Sequence, residues 1–206
     1  MGYIPVSIFY MKKATVTRLM ILRKAFELIY IKGFQATSVD DIIATTQVTK
    51  GAFYYHFKQK DEMGLAIINE ILKPSLIQRF IEPLQGEADP LEQIYAQMHY
   101  LLIEDKFLKP EYGCPVANLT QEMMPWNKLF GQALNELAKK WERELTAKID
   151  YGKKNGIIRN DINAKQAVIF ILSGYWGIRI LGKLANNQAP YRTYLKVLKK
   201  YLDSMR

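Results

Sequence analysis

Gly33-Phe34-Gln35-Ala36-Thr37-Ser38-Val39-Asp40-Asp41-Ile42, followed five residues later by Val48-Thr49-Lys50-Gly51-Ala52-Phe53-Tyr54-Tyr55-His56-Phe57, is the stretch on which the reading of this chain turns. Thr37 and Ser38 offer side-chain oxygens to cap a helix, and Asp40 and Asp41 put negative charge in its first turn, where the helix dipole favours it. Val39, Ile42 and Ile43 then point one way, which predicts a helix over 38–45. A turn at 46–48 leads to a second cap, Thr49, and a short helix over 50–55 whose Phe53 and Phe57 share a face. Two short helices joined by a tight turn suit duplex DNA, because the second enters the major groove while the first braces across the backbone. Thr49, Lys50, Tyr54, Tyr55, His56 and Lys60 can donate to phosphates or base edges, and Gly51 and Ala52 permit close approach. From periodicity alone, an ordinary amphipathic helix with aromatic packing explains the same residues equally well.

Working outward, Leu19, Leu22, Phe26 and Ile29 recur at steps of three and four before Gly33, predicting a helix over 15–32. A fourth helix opens at Lys60-Asp61-Glu62 and reaches about residue 72, with Pro74 and Pro83 expected to break the pattern. Further helices are expected over 90–106 and 116–123, and from Pro125, placed in a first turn, to a stop at Gly156. Asn163 and Gln166 resemble a capping box opening a helix to about Lys183, and Pro190 begins the last one. The expectation is an all-α chain of about nine helices, without strands, repeats or flexible linkers.

The 206 residues carry a formal charge of +9 and are 49% hydrophobic, enough for a substantial core and too apolar for disorder. Residues 1–60 hold nine Lys or Arg against three Asp or Glu, so the anion-facing surface is expected near the N-terminus. One cysteine, Cys114, excludes an intramolecular disulfide framework and points to a reducing cytoplasm. The apolar opening from Tyr3 to Met11 lacks the basic region and cleavage site of a secretion signal. It reads as an extension, and Met11 is an alternative start. Residues 167–181 are apolar but interrupted by Arg179, and read as a buried helix rather than a membrane span. No His/Cys/Asp/Glu grouping has ligand spacing, so neither metal nor cofactor is expected.

The two opening runs, with Lys60-Asp61-Glu62, resemble the signature of the tetracycline-repressor (TetR) family over roughly residues 15–65. The resemblance implies an all-helical, dimeric, ligand-responsive repressor. Its organisation would be an extension at 1–14, a helix-turn-helix domain at 15–62 and a ligand-binding and dimerisation bundle at 63–206. Carried over position by position, Thr37 or Ser38, Tyr54, His56 and Lys60 would hold phosphates, while Lys50, Ala52 and Tyr55 would face bases. One departure stands out. The family commonly has a small residue followed by Gly in the turn, where this chain has Thr46-Gln47. Either Gln47 takes a positive φ at a cost of about 1–2 kcal/mol, or the turn has a slightly different shape.

Within the body, Gly113-Cys114-Pro115-Val116-Ala117-Asn118-Leu119-Thr120-Gln121-Glu122 resembles a segment of one subgroup, some of whose members respond to electrophiles or oxidants. Cys114 is thereby a candidate sensor, since a helix N-terminus favours thiolate; a lone cysteine is more often a small buried hydrophobe. Met98, His99, Leu102, Asn118, Glu122, Met123, Trp126, Phe130, Phe170 and Tyr175 are candidate lining of an effector cavity, with core packing as the plainer explanation. Ile171, Gly174, Tyr175, Ile178 and Leu181, with Gly177 and Gly182, and Tyr194, Leu195, Leu198 and Leu202 on the final helix, are expected to pair two copies into a four-helix bundle. The expected partners are double-stranded operator DNA, a small-molecule effector and a second copy of the chain, with no membrane. The alternatives are a sequence-nonspecific DNA-binding protein without an effector, and an enzyme using Cys114 and His99. The second lacks any catalytic signature, so the chain is read as no enzyme.

Overall fold

The computed structural model describes residues 13–206. Of the expected extension at 1–14, only the last two residues are therefore described, and they open the first helix. The elements are α1 (Lys13–Lys32), α2 (Val39–Thr46), α3 (Lys50–His56), α4 (Lys60–Ile67), α5 (Lys73–Leu76), α6 (Pro90–His99), α7 (Pro115–Met123), α8 (Lys128–Lys154), α9 (Ala164–Ala185) and α10 (Ala189–Asp203). Among the described residues there is no strand. The chain stays helical from residue 60 to 84 through π turns at Ile68–Leu72 and Ile77–Ile81 and a 3-10 turn at Glu82–Leu84. Counting that run once leaves nine helices among the described residues.

Two prolines behave differently from expectation. Pro74 does not break the helix, because it sits in the first turn of α5 just after a π turn, where a missing N–H and a displaced carbonyl are tolerated. Pro125 precedes α8 rather than opening it. Asn127 is the cap, its Oδ1 accepting from the backbone N–H of Leu129 and Phe130 at 3.0 and 3.3 Å.

The chain forms two compact units, one ending at Ile71 and the other spanning Leu72–Arg206; the sequence reading had put a boundary after residue 62. In the first, Ile21, Leu22, Phe26, Ile42, Phe53, Phe57, Met63 and Ile67 are buried together. Arg18 of α1 lies 4.9 Å from the Phe57 ring centroid and pairs with Glu70. Gln47 ends α2 at φ 55°, ψ 18°, in the left-handed region. The turn therefore keeps the shape that Gly would adopt freely, at the cost of a strained glutamine.

In the second unit α6, α8, α9 and α10 pack on one another. Trp141 meets Tyr175 and Phe80 edge-on, with centroids 5.0 and 4.6 Å apart. Buried Gln97 bridges this cluster, donating to the Phe80 carbonyl at 2.8 Å and accepting from the Trp141 indole at 3.2 Å. Arg179, in the middle of α9 and 0% exposed, donates to the carbonyls of Leu108 at 2.8 Å, Lys109 at 3.2 Å and Gly113. Its guanidinium also lies 5.4 Å from the Tyr191 ring centroid. α9 is 22 residues long and apolar enough by length and composition to cross a membrane. Here it packs against α8 and α10, and the buried Arg179 contacts mark it as a core helix of the bundle.

The face expected to pair two copies is largely used within this unit. Ile171, Tyr175, Ile178, Leu195, Leu198 and Leu202 are buried. A Cβ on Gly174 would fall 2.7 Å from the Tyr194 ring, and one on Gly182 would collide with Tyr191. The physical reason is direct: α9 and α10 are each other's partners, and their tyrosines fill the glycine notches. The apolar residues left exposed are Ile169, Phe170, Ile180, Leu181 and Leu184 of α9 and Val197 of α10.

Two substitutions test these placements. Gln47→Gly removes about 1–2 kcal/mol of strain but adds unfolded-chain entropy worth roughly 0.4–1 kcal/mol. A net gain of about 0.5–1 kcal/mol in urea unfolding is expected, whereas Gln47→Val lowers stability. Arg179→Met leaves buried carbonyls without a charged donor and is expected to cost about 3 kcal/mol or more in the same measurement.

Candidate nucleic-acid interface and ligand cavity

The pair α2 and α3 is built by local rules. Ser38 and Asp41 form a reciprocal capping box: the Asp41 N–H donates to Ser38 Oγ at 3.0 Å, and the Ser38 N–H donates to Asp41 Oδ2 at 2.9 Å. Those bonds from Ser38 hold the Asp41 carboxyl below the usual range. Thr49 Oγ1 accepts from the Ala52 N–H at 3.1 Å and starts α3. Phe53 and Phe57, both 0% exposed, anchor that helix, which leaves Lys50, Gly51, Tyr54 and Tyr55 facing outward. Tyr55 is 74% exposed, unusual for so large an apolar ring without a partner surface. Ala52 and His56 are half-buried beside them, and Ser38 and Thr49 are exposed.

Thr37 and Lys60 sit elsewhere. Thr37 is fully buried, its hydroxyl donating to the Gly33 carbonyl at 2.7 Å. Lys60 Nζ donates to the carbonyls of Phe34 and Thr37 at 2.9 and 3.0 Å and lies 4.5 Å from the Phe34 ring centroid. Both residues hold the turn between α1 and α2. A pairing not foreseen from sequence is Lys50 Nζ with Asp40 Oδ1 at 3.0 Å, both side chains exposed. The hydrogen bond to Asp40 raises the lysine's pKa. An exposed pair of this kind holds its partners weakly, so a phosphate can displace the carboxylate.

The eleven residues named for ligand contact disperse. Met98, Leu102, Met123 and Phe130 are buried in the core, and Tyr175 belongs to the aromatic cluster with Phe80 and Trp141. Asn118 Nδ2 donates to the Tyr112 carbonyl at 2.8 Å, Glu122 is half-buried and Trp126 is 78% exposed. His99 Nδ1 lies 2.8 Å from Glu104 Oε1, and no hydrogen bond joins His99 to Cys114. Phe170 packs against Tyr201, with ring centroids 4.6 Å apart and planes tilted by 50°, and borders a shallow depression with Ile169. Cys114 alone of the eleven reaches one of two adjacent cavities. Its thiol is buried, and burial pushes its pKa up; the Ala117 N–H, the Arg179 charge and the Val116 N–H pull more weakly the other way.

Those cavities adjoin, and Val116, Ala138 and Trp176 line both. The narrower, about 30 Å³, also touches Phe80, Cys114, Lys140 and Trp141; the wider, about 310 Å³, touches Thr120, Gln121, Met124, Asn135 and Gly177. Sequence patterning gave no signal for them, because their walls combine buried residues such as Phe80, Val116, Leu137 and Trp141 with half-buried ones such as Ala138 and Trp176, brought together from segments far apart in the chain. Among the described residues no three His, Cys, Asp or Glu side chains are grouped to hold a metal.

Comparison with known proteins gives two family matches: "Bacterial regulatory proteins, tetR family" over residues 21–67, and "Tetracyclin repressor-like, C-terminal domain" over 91–198. The chain is 28% identical to an uncharacterised HTH-type transcriptional regulator from the lacX 3′ region of Lactococcus lactis subsp. lactis, over 77% of this chain and 80% of that one. It is 24% identical to the HTH-type transcriptional repressor DhaR of Mycobacterium sp. (strain GP1), over 89% and 91% respectively. In fold it resembles a TetR-family regulator from Cytophaga hutchinsonii (TM-score 0.83, 21% identity, 95% of this chain and 98% of that one). It likewise resembles the reduced form of Escherichia coli NemR (TM-score 0.77, 21% identity, 90% and 97%).

The Lys50–Asp40 pair generates a direct test. Asp40→Asn is expected to free Lys50 and to tighten binding to duplex DNA of any sequence, with the salt dependence of log Kd steepening by about one. Fluorescence anisotropy across a salt series measures it, and an unchanged slope would show that Lys50 makes no phosphate contact.

Proposed function

The chain belongs to the tetR family of bacterial regulatory proteins, and from that premise we propose that it is a homodimeric repressor which releases a palindromic operator when a small molecule binds. The observation that carries this reading is the surface of α3, where Lys50, Gly51, Tyr54 and Tyr55 face outward from a helix anchored by Phe53 and Phe57. In this reading Ala52 and Tyr55 meet base edges, Lys50 exchanges Asp40 for a phosphate, and Ser38, Thr49, Tyr54 and His56 meet further phosphates. Thr37 and Lys60 act by holding the turn that aims them. A backbone-only contact from either remains compatible with their positions. The protein works where the chromosome is, in the cytoplasm.

The second copy is expected on the exposed apolar stripe of α9, with Val197 of α10, since a face of this composition favours burial. Two copies related by a twofold axis present two reading helices to half-sites about 34 Å apart, or a related spacing. An effector that binds better to a differently spaced dimer weakens DNA binding by the ratio of its two affinities. Of the two release routes read from the sequence, we favour binding over modification of Cys114, because a buried thiol with a raised pKa holds little thiolate.

Footprinting on DNA upstream of the chain's own coding sequence is expected to protect a palindrome. Equal protection of scrambled DNA would instead favour the sequence-nonspecific protein without an effector. For the thiol, Cys114→Ser is expected to leave electrophile-induced operator release unchanged. The native thiol is expected to react with a disulfide reagent at pH 8 far more slowly than in the urea-unfolded chain. Equal rates would restore Cys114 as a sensor.

A further inference from the structure

We propose that the paired cavities around Trp176 take a slender apolar organic acid, with its hydrocarbon or aryl body in the wider chamber against Gly177 and its carboxylate beside Lys140. This rests on the reading of the chain as an effector-responsive regulator and adds to it the chemical class of the effector. Three observations carry it.

The first is charge. Among the residues lining either cavity Lys140 is the sole charged one, and no Asp or Glu lines them. Among the described residues no hydrogen bond or ion pair engages the Lys140 ammonium. A cation entering this site would meet a like charge and no carboxylate, and aromatic faces alone repay little of its desolvation. A carboxylate would gain a charge-assisted hydrogen bond.

The second is the character of the walls. Phe80, Trp141 and Trp176 with neighbouring aliphatic groups make the narrow chamber apolar, and the wide one adds only neutral polar groups from Thr120, Gln121 and Asn135. A volume of about 310 Å³ falls at the low end of the roughly 300–1,000 Å³ typical of small-molecule sites. The body it accommodates is small and carries no charge of its own.

The third is Gly177. Gly174 and Gly182 of the same helix are filled by Tyr194 and Tyr191, but a Cβ on Gly177 would meet nothing within 4 Å. A glycine inside a helix costs about 1 kcal/mol relative to alanine, and this unfilled notch lies beside Ile180, where the wider cavity meets the stripe assigned to the second copy, so whatever fills it, ligand or partner, lies outside this chain.

Isothermal titration of the full-length protein with octanoate, octanol and octylammonium separates body from head group. Octanoate is expected to bind about fivefold or more tightly than octanol, as one charge-assisted hydrogen bond predicts, with octylammonium weakest. Lys140→Met keeps the apolar stem and is expected to equalise octanoate and octanol while leaving octanol unchanged. Gly177→Leu, whose side chain enters open space, is expected to abolish binding of both. Octylammonium binding as well as octanoate, no binding by any of the three, or an octanoate preference that survives Lys140→Met would each overturn the inference. The same samples in the footprint keep the two readings apart. A protected operator with no head-group preference refutes the organic-acid site alone. The preference without any protected operator refutes the repressor reading alone.

Discussion

The second unit depends on one buried charge. A guanidinium at the middle of an apolar helix is tolerable only where hydrogen bonds replace its hydration, and Arg179 finds them in the carbonyls of Leu108, Lys109 and Gly113. That requirement fixes the irregular segment before α7 onto α9. Once the segment is held, Cys114 is forced inward at the start of α7, and Val116 comes to line both cavities. Tyr191 completes the arrangement by covering the guanidinium, which is possible because Gly182 leaves space for its ring. A single polar anchor thus determines the position of a helix, a thiol and a cavity wall.

The first unit solves a different problem, which is to hold a seven-residue helix that is too short to persist alone. Capping oxygens from Ser38 and Thr49 satisfy the free N–H groups, and two buried phenylalanines tie α3 to its supports. Polar groups are divided by task. Thr37 and Lys60 face inward to carbonyls, where they stiffen the turn, and Lys50 and the tyrosines remain outside. The strained Gln47 sits at the joint between α2 and α3, so the angle between these two helices is set by backbone geometry at one residue.

Local chemistry was legible in the sequence and long-range chemistry was not. Caps at Ser38, Thr49 and Asn163, the anchors Phe53 and Phe57 and the positive φ at Gln47 all depend on residues within a few positions of each other. The prolines misled because their effect depends on what precedes them: a π turn before Pro74, a better cap after Pro125. The exposure of Lys50, Tyr54 and Tyr55 was recoverable, yet the inward turn of Thr37 and Lys60 was not, since a hydroxyl or an ammonium has the same composition whichever way it faces. Of the α9 glycines, Gly174 and Gly182 are closely approached, whereas Gly177, expected to be so, has nothing within 4 Å of where a Cβ would sit. The partners of the first two are Tyr194 and Tyr191 of the same chain, which spacing along one helix cannot distinguish from a second copy.

The chain's three tryptophans occupy three separate environments. Trp141 is buried and hydrogen-bonded to Gln97, Trp126 is open to water, and Trp176 lines both cavities. The protein consequently carries its own set of optical reporters. A soluble quencher reaches Trp126 first, the packing of the bundle governs Trp141, and anything that enters the cavities must change the emission of Trp176 without any label being attached.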